Sequence, residues 1–158
     1  MRFVDATIFI KWMAAIKKRL SLESAIAGYI LKRIQDGEVA ITSSIVKDEV
    51  LIWLSRYRAS RLRNFLRALR IMPTLRIINP TLNDEEFAAA NYGKFELGIS
   101  DLINVSIMRR MNIDEIYTTD VGYETAGVRV VLYELQKEPG FEIFLDYLEK
   151  KGFKCTFK

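Results

Sequence analysis

Arg2-Phe3-Val4-Asp5-Ala6-Thr7 opens the chain with a short apolar run that ends on a carboxylate, and a helical pattern begins directly after it. Such a run is the pattern of a strand covered on both faces, as in a parallel sheet flanked by helices. The arrangement returns along the chain. Val39-Ala40-Ile41-Thr42 follows the Asp36-Gly37 turn, Leu75-Arg76-Ile77-Ile78 follows Pro73, Glu115 to Thr118 leads to Asp120, and Val128 to Leu132 makes a fifth run. Helical patterns separate them, at roughly 7–19, 22–35, 44–57, 59–71, 82–91, 101–111 and 139–151, with Ser43 or Ser44 and Ser100 as expected caps. Strands alternating with helices imply right-handed crossovers, hence a Rossmann-like, three-layer α/β/α fold around a central, mostly parallel sheet. Such sheets bind ligands beyond the carboxyl ends of their strands.

Asp5, Glu49, Asp101 and Asp120 lie far apart in the chain, yet each sits at an element junction. Asp5 and Asp120 close apolar runs, while Glu49 and Asp101 fall in the first turns of two expected helices. If those ends converge, four carboxylates share one small volume. At ~4 Å and an effective dielectric near 20, each like-charge pair costs ~4 kcal/mol. Protons or divalent cations must then offset the repulsion. Each acid also has a plainer account: Asp101 can favour the positive end of its helix, and Asp120 can be a turn residue before Gly122. Glu49 has an internal control in Asp48. At ~100° per residue Asp48 falls beside Lys47 and Ser55, whereas Glu49 falls at the margin of the Val46, Val50, Trp53 and Tyr57 stripe. Asp101 shares a row with Val105 and Met108, which faces packing.

Composition narrows the chemistry. With 158 residues, half of them hydrophobic, a single domain with one substantial core is expected. Cys155 is the only cysteine, which excludes an internal disulfide and a cysteine-cluster zinc site. The chain has no histidine. That removes Ser-His-Asp and Cys-His hydrolysis, histidine-ligated zinc and paired-histidine RNA cleavage. Acids without His or Cys suit a hard cation, Mg²⁺ or Mn²⁺. Asp5 and Lys11 interrupt the first apolar stretch, so no secretory leader is expected, and no apolar run reaches the ~20 residues of a membrane span. The expected compartment is the cytoplasm.

Four motifs in order then carry a resemblance. Phe3-Val4-Asp5-Ala6-Thr7 resembles the first motif of the PIN-domain ribonucleases, an apolar strand followed by Asp-x-Ser/Thr/Asn. Ser43-Ser44-Ile45-Val46-Lys47-Asp48-Glu49-Val50 is similar to the second. Ala89-Ala90-Asn91-Tyr92-Gly93 with Leu97-Gly98-Ile99-Ser100-Asp101 resembles the third, and Ile116-Tyr117-Thr118-Thr119-Asp120 the fourth. The similarity runs from residue 1 to about 133 and is nearest to the prokaryotic toxin-like, VapC-type subgroup. Gly122 and Tyr123 depart from it, standing where many relatives carry an acid or amide followed by Phe. The resemblance implies metal-assisted phosphodiester hydrolysis. One or two Mg²⁺ or Mn²⁺ ions would bridge Asp5, Asp101 and the phosphate, with Glu49 and Asp120 as direct or water-mediated ligands. Thr7 and Thr118 become candidate donors orienting the carboxylates. A small antitoxin protein and a homodimer are the partners it implies, beside an RNA substrate.

Between Arg56 and Arg70 lie six arginines and no acid. On a helix Leu62, Phe65, Leu66 and Leu69 form one face, and Arg63, Arg67 and Arg70 the other. These three are candidates for contact with RNA phosphates or with an acidic inhibitor; a solvated basic face is the plainer alternative. Residues 134–158 read as a helix–strand extension of one domain spanning 1–158, since Phe153, Cys155 and Phe157 alternate with polar neighbours. That strand could complete the sheet edge, cover another groove or reach a second subunit. The leading expectation is a Mg²⁺/Mn²⁺-dependent endoribonuclease, the toxin of a toxin–antitoxin pair. The alternative is a catalytically silent PIN-fold module that binds RNA or protein.

Overall fold

A computed structural model describes residues 1–158. Five strands, β1 (Arg2–Val4), β2 (Ala40–Ser43), β3 (Leu75–Ile78), β4 (Glu115–Tyr117) and β5 (Arg129–Val130), form one sheet in the order β3-β2-β1-β4-β5. Every neighbouring pair is parallel. Phe3 faces Ile41 on one side and Ile116 on the other, so the strand that ends on Asp5 is central. Phe3, Val4, Ile41 and Ile116 are fully buried, which is what an apolar run covered on both faces requires.

Seven helices connect and flank the strands: α1 (Ala6–Met13), α2 (Leu22–Gln35), α3 (Ser44–Tyr57), α4 (Leu62–Arg70), α5 (Leu82–Asn91), α6 (Ile99–Arg110) and α7 (Pro139–Lys150). Short 3-10 turns span Ala59–Arg61, Val121–Ala126 and Tyr133–Lys137. Helices α1, α2 and α3 pack together, with α7 on α2, and α5 packs on α6. The layers share one continuous apolar core. None of the helices is long and apolar enough to cross a membrane.

Three local expectations change. The first helix stops at Met13 rather than near residue 19. Its last carbonyl is taken from a distance, for Arg61 donates to the Met13 oxygen. Beyond it the backbone pairs with the C-terminal tail, Leu20 N–H to Lys154 O at 2.9 Å and Thr156 N–H to Leu20 O at 3.0 Å, with Leu20 fully buried. The tail therefore covers a groove instead of adding a strand to the sheet. Phe153 stacks on Trp12 with ring centroids 5.7 Å apart, and Cys155 makes only a single bridge to Leu20. Helix α6 begins at Ile99, so Gly98, not Ser100, is its cap, with the Gly98 carbonyl accepting from Leu102 N–H at 3.1 Å. Ser43 caps α3, its Oγ accepting from Val46 N–H at 3.1 Å.

The segment beyond β5 is tied to α2 by more than apolar contact. Glu138, which leads into α7, accepts from Arg33 at 2.6 Å and from the Tyr29 hydroxyl at 3.0 Å. Phe141, Phe144, Leu145 and Leu148 bury the inner face of α7. From the end of β4 the side chain of buried Tyr117 reaches back toward the amino ends of β1 and β2, where its hydroxyl accepts from Arg2 at 2.8 Å and donates to Glu38 at 2.9 Å. Burial pushes the Tyr117 hydroxyl up to about 12. The opposite, carboxyl edge of the sheet is where the acids gather.

Candidate active site

Asp5 lies one residue past the end of β1 and is 4% exposed. Its position follows from the sheet: its N–H donates to the Tyr117 carbonyl of β4 at 3.0 Å, which carries the β1 ladder one step further. A buried carboxylate needs partners. Thr118, immediately beyond β4, donates to Asp5 Oδ2 at 2.7 Å, and Thr7 donates to the same oxygen at 3.2 Å. The two threonine hydroxyls lie 3.2 Å apart. Thr7 Oγ1 also accepts from the Thr119 N–H at 3.1 Å, so the start of α1 is stitched to the end of β4 around one carboxylate oxygen. Thr7 and Thr118 thus both donate to one oxygen of Asp5.

The other acids approach from three directions. Asp101 sits in the first turn of α6 and is half-buried. Glu49, half-buried on α3, interacts with the Ser100 hydroxyl, whereas Asp48 is exposed and pairs with Lys47 at 3.4 Å. Asp120 follows β4. Its Oδ1 accepts from Gly122 N–H at 2.8 Å, opening the turn over Val121–Ala126, so it is a turn residue as well as a member of the group. Gly122 is required there, because a Cβ would lie 2.3 Å from the Glu96 carbonyl oxygen and 2.9 Å from Asp120 Oδ1.

Electrostatics record how near the acids are to one another. Burial raises the Asp5 carboxyl above the usual range, with Asp120 adding to the rise and the Thr118 hydroxyl opposing it. Burial also raises Asp101, reinforced by the charges of Asp5 and Asp120. Glu49 is raised by burial, then by Asp5 and Asp101, against the Ser100 hydroxyl. Three acids therefore hold protons more tightly than free carboxylates do, for want of positive charge. No three of them stand close enough as they lie to share one ion. Carboxylates and hydroxyls without any histidine or thiolate nonetheless form a donor set whose chemistry fits a hard divalent cation, and Asp5 and Asp101, with Glu49 and Asp120 flanking, are the residues that could hold one.

This geometry coincides with a family assignment. A family model described as PIN domain matches residues 2–128. The chain belongs to the PIN domain family. Solved structures share the fold. The Mycobacterium tuberculosis VapC20, a sarcin–ricin loop cleaving toxin, is 23% identical with a TM-score of 0.64, over 81% of this chain and 96% of its own. A toxin–antitoxin complex from Klebsiella pneumoniae is 19% identical with a TM-score of 0.56, over 76% and 87% of the two chains. FitAcB from Neisseria gonorrhoeae is 15% identical with a TM-score of 0.55, over 82% and 96%. No curated protein matches the chain. The family match ends at residue 128, so α7 and the tail lie outside the part of this PIN domain that the family model describes.

Arg63, Arg67 and Arg70 project from α4 and, with Leu66, line a shallow depression of about 180 Å³ that contains none of the acids. The arginine that shares a cleft with an acid is Arg56. It lines a space of about 380 Å³ with Ile10, Glu49, Ile52, Trp53 and Tyr57. Two further residues at the centre were not among the expected site residues. The Tyr123 hydroxyl donates to Asp101 Oδ1 at 3.0 Å and lies 3.5 Å from Asp5 Oδ1. Behind it Asn104 is fully buried. Asn104 was visible in principle as one polar residue, a turn after Asp101, within a row that is otherwise apolar. Tyr123 carries no such mark, because a buried tyrosine usually serves packing.

Proposed function

We propose that this PIN domain is a Mg²⁺- or Mn²⁺-dependent endoribonuclease that hydrolyses RNA phosphodiester bonds, and that it is the toxin of a toxin–antitoxin pair. The observation that carries the reading is Asp5, buried at the carboxyl end of the central strand and fixed by Thr7 and Thr118, with Asp101, Glu49 and Asp120 drawn around it. The acids of such a cleft repel a phosphate unless positive charge intervenes. A hard divalent cation, one ion or two, supplies that charge and a more acidic water. The residues of the chain do the rest. Asp5 and Asp101 would hold the cation, and Thr7 and Thr118 keep the Asp5 carboxylate from turning. Glu49 and Asp120, drawn toward the same pair, would act as ligands directly or through water. The attacking water gives a proton to solvent as its oxygen bonds to phosphorus; the ester P–O bond breaks and the leaving oxygen takes a proton from solvent.

An RNA strand would follow Arg56 toward Glu49, with Arg63, Arg67 and Arg70 on α4 as a second basic stretch. The structural neighbours include a sarcin–ricin loop cleaving toxin and a toxin–antitoxin complex, which supports a nuclease reading and a small antitoxin as partner. A homodimer acting in the cytoplasm accords with that role. One observation favours the silent-module alternative: no three acids are already gathered for one ion. Cleavage of a panel of labelled RNAs in Mn²⁺, Mg²⁺ or EDTA, by the wild type, Asp5→Asn and Asp101→Asn, separates the two. Metal-dependent cleavage lost in both variants supports the nuclease. Cleavage that survives EDTA or both substitutions refutes the carboxylate–metal mechanism, and metal binding without turnover favours the silent module.

A further inference from the structure

We infer that Tyr123 is a positioning residue, the last link of a buried relay from Ser43 through Asn104 that sets the spacing of Asp5 and Asp101. The inference rests on the nuclease reading for its consequence, though not for its geometry. Ser43 Oγ donates to Asn104 Oδ1 at 2.6 Å while accepting from Val46 N–H, so the amide is held from the start of α3. Both Ser43 and Asn104 are fully buried. Asn104 Nδ2 lies within the core without a hydrogen-bond partner. Asn104 nevertheless bears on the Tyr123 hydroxyl, which its presence favours in the ionised direction against burial. A buried donor left unpaired is destabilising, because it has given up water without a replacement. A small shift of the phenol toward Asn104 would satisfy it and close the relay.

The Tyr123 oxygen in turn serves two acids that arrive on different elements. Asp5 Oδ2 is already taken by Thr118 and Thr7, so Tyr123 meets the remaining oxygen, Oδ1. On Asp101 it also meets Oδ1, at 3.0 Å. Its reach of 3.0 Å to one and 3.5 Å to the other keeps those oxygens within about 6.5 Å of each other. Two mutually repelling carboxylates on separate elements would otherwise move apart. A phenylalanine at this position would fill the same space and leave nothing between them. The relay is thus distinct from the threonine donors: the threonines orient one acid, and Tyr123 sets the distance between two.

Full-length wild type, Tyr123→Phe, Asn104→Leu and the double variant are compared by calorimetric titration with Mn²⁺ and by thermal unfolding in EDTA. Tyr123→Phe should weaken Mn²⁺ binding about tenfold. The double variant should bind no more weakly than the weaker single variant, and the Tm losses in EDTA should be non-additive, because both substitutions cut one chain of contacts. Mn²⁺ affinity of Tyr123→Phe within about twofold of wild type, or Tm losses that simply add, overturns the inference. If wild type binds no Mn²⁺, the nuclease reading falls and the unfolding data alone decide the relay: non-additive losses uphold it, and additive losses end it.

Discussion

Replacing Asp5 by asparagine should make the metal-free protein more stable and the metal-loaded protein less so. Asp5 and Asp101 oxygens lie within about 6.5 Å through their shared contact with Tyr123. At that separation and an effective dielectric near 20, two unit charges repel by about 2.5 kcal/mol. The neutral amide would remove the repulsion but could not accept from Thr7, Thr118 and Tyr123 as a carboxylate does, a loss of ~1 kcal/mol. A net gain of ~1–2 kcal/mol corresponds to a rise in Tm of roughly 3–6 °C for a domain of this size. With Mn²⁺ at ~100 times its Kd, wild type gains ~2.7 kcal/mol and Asp5→Asn gains little, so the order inverts. Asp5, Glu49 and Asp101 all have folded-state values raised above those of the unfolded chain. Their joint contribution is therefore a destabilisation at neutral pH. It is relieved as pH falls through the raised folded values toward the ordinary carboxylate range. Differential scanning calorimetry from pH 7.5 to 5 in EDTA and in Mn²⁺ measures every part of this. A metal-free Asp5→Asn that melts below wild type, or an equal response of both proteins to Mn²⁺, would falsify the electrostatic account.

Thr118→Val removes the 2.7 Å donor to Asp5 and the acceptor for the Asp120 N–H. It should cost ~1.5–3 kcal/mol in urea unfolding and about tenfold in Mn²⁺ affinity; unchanged affinity would show that Thr118 is only a packing residue. Asp84→Asn offers a contrast away from the site. Asp84 is 1% exposed and accepts from Arg110, Ser106 and the Thr81 N–H. Burial opposes its charge, but those donors hold its carboxyl below the usual range. Its stabilisation is present above the unfolded value and is lost as pH falls through the folded one. The variant should lose ~2 kcal/mol at pH 7 with RNA cleavage unchanged at 20 °C, and a matching loss of cleavage would place Asp84 in the site. Arg56→Glu should weaken binding of labelled RNA more than any single reversal at Arg63, Arg67 or Arg70, and should reduce its salt dependence. The opposite ranking would route the RNA across α4.

Phe3-Val4-Asp5, with its repeats at Ile41 and Ile116, was enough to foresee a parallel sheet, because a strand buried on both faces must be apolar throughout, a demand that the edge strand holding Ile77 escapes. The helical wheel likewise separated Glu49 from Asp48, and the exposed ion pair of Asp48 agrees with it. Local patterns fared worse where a distant segment supplied the partner. Nothing within residues 7–19 shows that the tail will take the backbone of Lys17 and Leu20, so the local pattern alone carries the first helix too far. The alternating tail met the same difficulty, since period-two patterning does not say which edge or groove receives it.

Charge, period and motif order within the chain determined the layered fold and the identity of the four acids. Only the folded molecule decided how those acids stand toward one another. Tyr123 between Asp5 and Asp101, Asn104 behind it and Thr118 against Asp5 join residues more than a hundred positions apart as well as near neighbours. The reason is physical. Burial on both faces is a property of each strand by itself, whereas a hydrogen bond between side chains depends on the register and packing of several elements at once.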